Sequence, residues 1–563
     1  MTNLPDVTFN ILDGQLGQVP SSVAGAAVTM GICSDGAVGS IYALGSTSGL
    51  GALGVGPLVE AVGDKLTVAG GPQYALPLNP RTFGDYYSLG GTLHSVTPTG
   101  TGSGSVAVAF APKTAIAMKV QTAGALGTAK MQFSVNGGAY SDPVATTAGP
   151  WTYQVPGTLT KVTVAAGTYV ANDIYTITTD GTVSRSGSGP DDTYVTHADS
   201  PMDVYDVLVS IVTGGAVGTA VFTYSVDGGN SNSAPIATSA KYAIPGTGIV
   251  LAFSSTFTAG DTYEFTTTAT AYDNTDVTAG FTTLFQSAIE FGFVHLVGTG
   301  ADASAAAATA AVVDAQMTIA ETAYRFIFSF VECPSVEDDA TIALRFKDFV
   351  SRRVSVCVGD IRHVSPLTGR IERRNCATVV ASRTCKVMAG EDIGWVGRGA
   401  IPNISPTNGL YRDEAATPLL DAARFTTMRT FTGFPGYYIT NGRTMAVGGS
   451  DYSYLVNRRV MDAACRIARR AELPFVNGSL RVNDDGSIDE RDARAFESIV
   501  QHEIVAELMS SSPPQISDCV VTLDRSANIL STAVEPVAIA ITPLAYGRQI
   551  RTSIGFNNPA LAA

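Results

Sequence analysis

A long internal repeat limits what this chain can fold into. The segment VQTAGALGTAKMQFSVNGG (Val120 to Gly138) reappears as IVTGGAVGTAVFTYSVDGG (Ile211 to Gly229), and farther on GTYVANDIYTITT around Tyr175 matches STFTAGDTYEFTT around Tyr263. Whatever one copy folds into, the other must fold into as well. Both copies are rich in Thr, Val, Gly and Ser, alternate apolar residues (Phe133 and Val135; Phe222, Tyr224 and Val226) and carry Asn136-Gly137 or Asp227-Gly228 turns. That pattern predicts antiparallel strands and two sandwich-like β domains of about 90 residues each, placed at 91–185 and 186–276.

Outside the repeat the period changes. Residues 1–90 open on an alternating segment (Val7, Phe9, Ile11) and predict a helix near Pro57 to Lys65. Beyond Thr283 the pattern predicts helices at Leu284–Glu290, Ala305–Thr322 and Asp338–Val350, alternating with apolar strands at Phe293–Val297, Tyr324–Phe330 and Val354–Val358. Such alternation marks an α/β layer with parallel pairing. The last third predicts a polar helix near Asp492–Met509 and strands at Asp518–Leu523, Val537–Ile541 and Ile550–Phe556. The chain is therefore read as α+β and multidomain: a body from 1–90 and 277–400, a C-terminal α+β domain at 401–563, and two all-β insertions whose loss should leave the body foldable.

Charge narrows the function. Only 15% of the 563 residues are charged, with 35 Lys and Arg against 49 Asp and Glu. A net charge of −14 excludes a general nucleic-acid coat, which needs a positive field. So few charges fit a chain that hides much of its surface in an assembly or carries unusually polar neutral domains. The apolar run from Ala301 is broken by Asp302 and Asp314, so no membrane-spanning helix is expected, and the start MTNLPDVTFN has no signal-peptide pattern. The odd set Cys33, Cys333, Cys357, Cys376, Cys385, Cys465 and Cys519 has no C-x-x-C pair, which fits a reducing site of synthesis. Most are expected to be buried small hydrophobes; the sharper alternative is cross-linking between subunits once the protein leaves that compartment.

Catalytic and cofactor signals are weak. Gly49, Gly51 and Gly54 lack the strand before and the helix directly after that a dinucleotide loop requires. RVNDDGSIDERD places Asn483, Asp485, Gly486, Asp489 and Asp492 at calcium-loop spacing, but Arg481 stands where the first carboxylate should be. A solvated turn before a helix is the simpler reading. The five histidines share no metal spacing, and no G-x-S-x-G elbow occurs. No enzyme, cofactor or metal is expected. One helix, SDYSYLVNRRVMDAACRIARR, gathers Arg458, Arg459, Arg466, Arg469 and Arg470 within about a third of its circumference, opposite Val456, Val460 and Ile467, with Ser450 or Asp451 as N-cap. That stripe is either a solvated face or a docking surface for an acidic partner.

The C-terminal segments GYYITNGRTMA (Gly436 to Ala446), the N-R-R helix and the closing VAIAITPLAYGRQIRTSIGF together resemble the C-terminal domain of contractile phage tail sheath proteins. The resemblance covers about 1–90 and 277–563. It implies a structural subunit that polymerises helically around a tail tube, meets baseplate and terminator proteins, and contracts to drive the tube through the host envelope. Assembly in the host cytoplasm and residence in the virion are implied too, with neither direct nucleic-acid contact nor membrane insertion. On this resemblance Val7, Phe9, Ile11, Ile550, Ile554 and Phe556 belong to arms that add strands to neighbouring subunits, and the arginine stripe faces the tube. The alternative is a virion surface or adhesion protein whose duplicated β domains bind host glycans.

Overall fold

The computed structural model describes residues 23–556 except 83, 94, 101, 104, 111–114, 157, 159, 179–182, 187–194, 199–200, 202, 299, 407–412 and 416–417. Val7, Phe9 and Ile11 lie outside the described residues. The chain divides into two compact units, one of residues 1–387 and 393–454, the other of 388–392 and 455–563.

The larger unit is built on a six-stranded sheet in the order Tyr42–Leu44, Gln73–Pro77, Ala27–Gly31, Phe293–Leu296, Phe328–Cys333, Val354–Val358. All neighbours pair in parallel except the antiparallel edge strand Tyr42–Leu44. Parallel strands need both faces covered, which is why these read as continuous apolar runs; Ala27–Gly31, Phe293–Leu296, Phe328–Cys333 and Val354–Val358 are buried along their whole length. The covering helices include α1 (Pro57–Ala69), α2 (Asn274–Gln286), α3 (Ala303–Thr322), α4 (Asp339–Arg345) and α5 (Ala377–Lys386).

Helix α2 starts a full ten residues before the expected Leu284, and its cap explains why. Asp273 accepts from the Thr275 and Asp276 amides, and Asp276 reaches back to the Asp273 amide, a capping box hidden in a Thr-rich stretch that reads as β. Gly280 lets this helix approach the sheet: a Cβ there would stand 2.4 Å from Met30 Cε. Helix α3 corrects another expectation, since it is long and apolar enough to cross a membrane. Its Ala306, Ala310, Val313 and Met317 face is buried in the core with Val28, Leu296 and Val331, as in a core helix.

Strand pairing redraws the β insertions. The first repeat forms a five-stranded sheet (Val144–Ala145, Lys130–Val135, Ile116–Thr122, Ile174–Ile177, Val183–Ser186) and a three-stranded one (Trp151–Gln154, Lys161–Val164, Val195–Ala198). Its core of Met118, Met131, Phe133, Trp151, Val162 and Tyr175 is its own. In the second repeat, Ile249–Ser254 pairs with Ser105–Phe110, and Thr262–Thr267 pairs with Tyr86–Tyr87 and Thr97–Thr99. The boundary expected near 185 is therefore wrong in both directions. Val195–Ala198 belongs to the first repeat, the strands Tyr86–Tyr87, Thr97–Thr99 and Ser105–Phe110 belong to the second, and the first is inserted inside the second. Similar repeats share inner strands, but sequence similarity does not say from which side of the chain an outer strand arrives.

The second repeat is also no detachable decoration. Its Val207, Phe222, Phe253 and Phe265 belong to one buried cluster with Val28, Leu76, Phe281 and Val294 of the body. Removal of 91–275 should thus leave an insoluble or molten chain, against the sequence expectation. Replacing only 112–201 by a short Gly/Ser linker should leave a cooperative thermal transition close to that of the parent, as read by circular dichroism.

The body also extends beyond 400. Thr426 exchanges backbone hydrogen bonds with Val356 and Val358 (2.9 and 3.1 Å), and Met445 donates to Val354 (2.9 Å), so the chain at Thr426 and at Met445 lines the edge strand Val354–Val358. The C-terminal unit begins at Leu455, not at 401.

Candidate functional site

The smaller unit holds most of the residues singled out for assembly. Helix α6 (Leu455–Glu472) carries the arginine stripe, but the stripe is not a single exposed face. Arg458 and Arg459 are buried, 2% and 1% exposed, Arg466 and Arg469 are half-buried, and Arg470 is exposed and paired with Glu507. Arg458 can be buried because Asp462, one turn on, accepts its guanidinium at 2.6 Å, and Arg459 reaches the Glu391 carbonyl at 3.5 Å. That i,i+4 carboxylate is the acidic relief missing from the wheel reading. The helix also starts later than its expected cap, and Ser450 Oγ instead accepts from the Tyr452 amide.

Helix α7 (Glu490–Ile504) runs on into a π-helical turn, Val505–Met509, and packs on an antiparallel pair, Ile516–Leu523 with Val537–Pro543. Cys519, Val521 and Leu523 turn one buried face inward, opposite Ile541, Ile539 and Val537. Among the described residues this sheet has two strands only. After it the chain is pinned twice: Tyr546 Oη donates to the Gly390 carbonyl at 2.7 Å, and Arg548 pairs with Asp392 at 2.9 Å. Burial pushes the Tyr546 hydroxyl up to about 12, so it remains a donor. Residues 550–556 form no strand within this chain, contrary to expectation, and Ile550, Ile554 and Phe556 are 89%, 97% and 110% exposed.

Two other sequence candidates resolve as structural. Cys33, Cys333, Cys357, Cys376, Cys385 and Cys519 are buried and Cys465 is half-buried, and none of them forms a disulfide among the described residues. Burial of those six within one copy fits small hydrophobes, and the half-buried Cys465 reaches the surface. In the acidic loop, Asp492 is bound by Arg481 (2.5 Å), Asp485 by the Ser487 amide (3.0 Å), and Asp489 caps α7. These carboxylates make a turn, and no metal-sized group of His, Cys, Asp and Glu occurs among the described residues.

Sequence reasoning missed a buried polar network in the larger unit. From α1, Lys65 Nζ meets His295 Nδ1 at 2.9 Å, and His295 Nε2 meets Glu332 at 3.1 Å. On the same helix Asp64 binds His363 and Glu60 accepts from Ser365, both at 2.6 Å. Arg374 joins Asp203 (2.5 and 2.7 Å) to Glu372 (2.5 Å), with Arg370 on Glu372 as well. The only trace in the sequence is spacing: Glu60 and Asp64 one helical turn apart, Glu372 and Arg374 on alternate positions of one strand, and Ser365 two residues after His363. Lys65 and His295 are fully buried, so this is an internal brace and not a site open to a substrate.

The DUF2586 N-terminal domain matches residues 4–443 and the DUF2586 C-terminal domain residues 451–561. The chain belongs to the DUF2586 family. Solved structures similar to this DUF2586 chain include a sheath tail protein from Listeria innocua, at 12% identity over 94% of either chain with a TM-score of 0.43. Another is a sheath tail protein from Desulfitobacterium hafniense, at 11% identity over 96% of this chain and 100% of that one, TM-score 0.39. A third is the sheath complex of an extracellular contractile injection system in its contracted state, at 13% identity over 49% and 75%, TM-score 0.37. No curated protein matches the chain.

The brace gives this DUF2586 protein a pH signature. Burial raises Glu332 and Glu60 of the brace from 4.5 to about 7, and Asp360, on the strand Asp360–Val364 that carries His363, from 3.8 to about 6. The folded state keeps these protons where the unfolded chain has released them, so their contribution is complete below about 4 and is lost as pH rises through 6 to 7. Burial lowers Lys65 from 10.5 to about 8, so its contribution is present above 10.5 and lost as pH falls through 8. Near pH 7.5 the protein sits between the two windows. Its melting temperature should rise by several degrees on going from pH 7.5 to pH 5.5 in differential scanning fluorimetry.

Proposed function

We propose that this DUF2586 protein is the sheath subunit of a contractile tail. Copies polymerise helically around a tail tube, tethered by terminal strands, and the polymer contracts to push the tube through a target envelope. Baseplate and terminator proteins would meet its ends, and its place is in the finished particle. One observation carries the reading: a C-terminal segment anchored through Tyr546 and Arg548 holds three large apolar side chains almost bare, while the adjacent sheet has two strands among the described residues. A chain acting alone gains nothing from either feature. A second copy satisfies both, because an extended segment that adds to a sheet edge forms ladder hydrogen bonds and buries alternate side chains. A head-to-tail contact of this kind generates a helix when its rotation does not close a ring. The order of the segments that resemble sheath C-terminal domains supports the same reading, and the withdrawal of Arg458 and Arg459 removes those two from the expected tube contact.

Negative-stain electron microscopy of the purified chain tests it. Tubes of uniform diameter are expected, and a protein that stays monomeric at high concentration with the tube protein present would overturn the reading.

A further inference from the structure

The two edges of the C-terminal sheet differ. Cys519, Val521 and Leu523 stand opposite Ile541, Ile539 and Val537. The Asp524 amide bonds to the Pro536 carbonyl, which fixes the alternation, so these six residues point their amides away from the partner strand. On Ile516–Leu523 all three outward amides are taken: Cys519 by Asp518 (2.9 Å), Val521 by Gln501 (3.4 Å) and Leu523 by Glu497 (2.6 Å). Arg525 completes the cover. It grips Glu497 at 2.8 Å and donates to the Leu523 carbonyl at 2.8 Å, so Leu523 receives the donor and the acceptor that a neighbouring strand would have offered. On the other strand, the outward amides of Val537, Ile539 and Ile541 have no acceptor among the described residues.

We propose that strand addition to this unit is one-sided: Glu497, Gln501 and Arg525 close the edge of Ile516–Leu523, and the segment Ile550–Phe556 of a second copy enters only along Val537–Pro543. The inference rests on the sheath reading and goes beyond it by assigning the edge and the residues that enforce the choice. Room alone would favour the opposite side. An open cleft of about 450 Å³ lies beside Val521, between Arg494, Glu497, Gln501 and His502, yet the strand donors facing it are already satisfied. An intruding strand there would have to break the charge-assisted bond between the Leu523 amide and Glu497 and displace Arg525 from the Leu523 carbonyl, whereas on the far edge it displaces only water. The half-buried Val537, Ile539 and Ile541 side chains would also gain cover. Leaving both edges open would invite branching and aggregation, which proteins suppress by blocking edges with charge.

The test uses a chain ending at Gln549 and a synthetic peptide of residues 548–558. Val520 and Ala540 are exposed on the same sheet face, one on each strand. Val520→Cys or Ala540→Cys is made in the shortened chain, and the peptide carries cysteine in place of Thr552 or of Ser553, so that one version faces the reporter. Disulfide yield should be roughly tenfold higher at 540 than at 520. Adding Glu497→Ala and Gln501→Ala should raise the yield at 520 and leave that at 540 unchanged. Equal yields, or preference for 520, would overturn one-sided entry even if the full chain forms tubes. Cross-linking at neither position while tubes form would also overturn it, whereas absence of both tubes and cross-links would sink the sheath reading itself.

Discussion

Arg374→Met should lower the stability of the larger unit by about 3–5 kcal/mol, the cost of removing one partner from a buried ion pair. Arg374 is 7% exposed and Asp203 2%. Arg374 supplies the ion-pair hydrogen bonds of the Asp203 carboxylate, at 2.5 and 2.7 Å, while Glu372 is bound directly by Arg370 as well. The damage should therefore fall on Asp203, and Asp203→Asn in the same chain should restore a large part of it. Thermal unfolding of the two single variants and the double variant checks this. Equal losses in the single and double variants would mean that packing of the long side chain, and not the stranded charge, sets the cost. The position matters because Asp203 leads into the second repeat, as the Thr267 hydroxyl donates to its carbonyl at 2.9 Å. Ion pair and shared apolar core together make that repeat part of the body.

The second large effect concerns assembly without stability. A chain ending at Gln549 retains the Tyr546 and Arg548 anchors, and the described residues that it loses, 550–556, form no strand of their own. It should melt at the temperature of the full chain and sediment as a monomer where the full chain forms tubes. Three apolar side chains buried on strand addition are worth roughly 1.5–3 kcal/mol each before ordering costs, so their loss should abolish polymerisation at micromolar concentration. Ile554→Asp alone, which places a charge where an apolar side chain is needed, should act in the same direction through a smaller loss, read by the same sedimentation experiment.

Much of the fold was legible where local and tertiary preferences agree. The strand Val354–Val358, helix α3 and the terminal strand pair follow directly from period and apolar runs, since each is buried in the way its pattern implies. Helix α2 was misplaced because its capping box is made of two aspartates in a Thr-rich stretch. The arginine stripe was over-read because a helical wheel shows direction and not depth: it cannot show that Asp462 makes Arg458 suitable for the interior. The buried brace was illegible for a related reason. Lys65, His295 and Glu332 come from three distant segments, and nothing in the spacing of any one of them announces the other two.

The nesting of one repeat inside the other also imposes a timetable. As the chain leaves the ribosome, the strands of residues 86–110 emerge before the first repeat, yet their partners Ile249–Ser254 and Thr262–Thr267 follow it. At about 5–20 residues per second, that interval is on the order of ten seconds. The inner repeat, with its private core, can close during the wait, but the outer one cannot, and Ala27–Gly31 waits longer still for Phe293–Leu296. Folding of this protein must run from the inside of the sequence outward, and Ala27–Gly31, buried along its whole length in the finished fold, spends the longest time in a growing chain without its partner Phe293–Leu296.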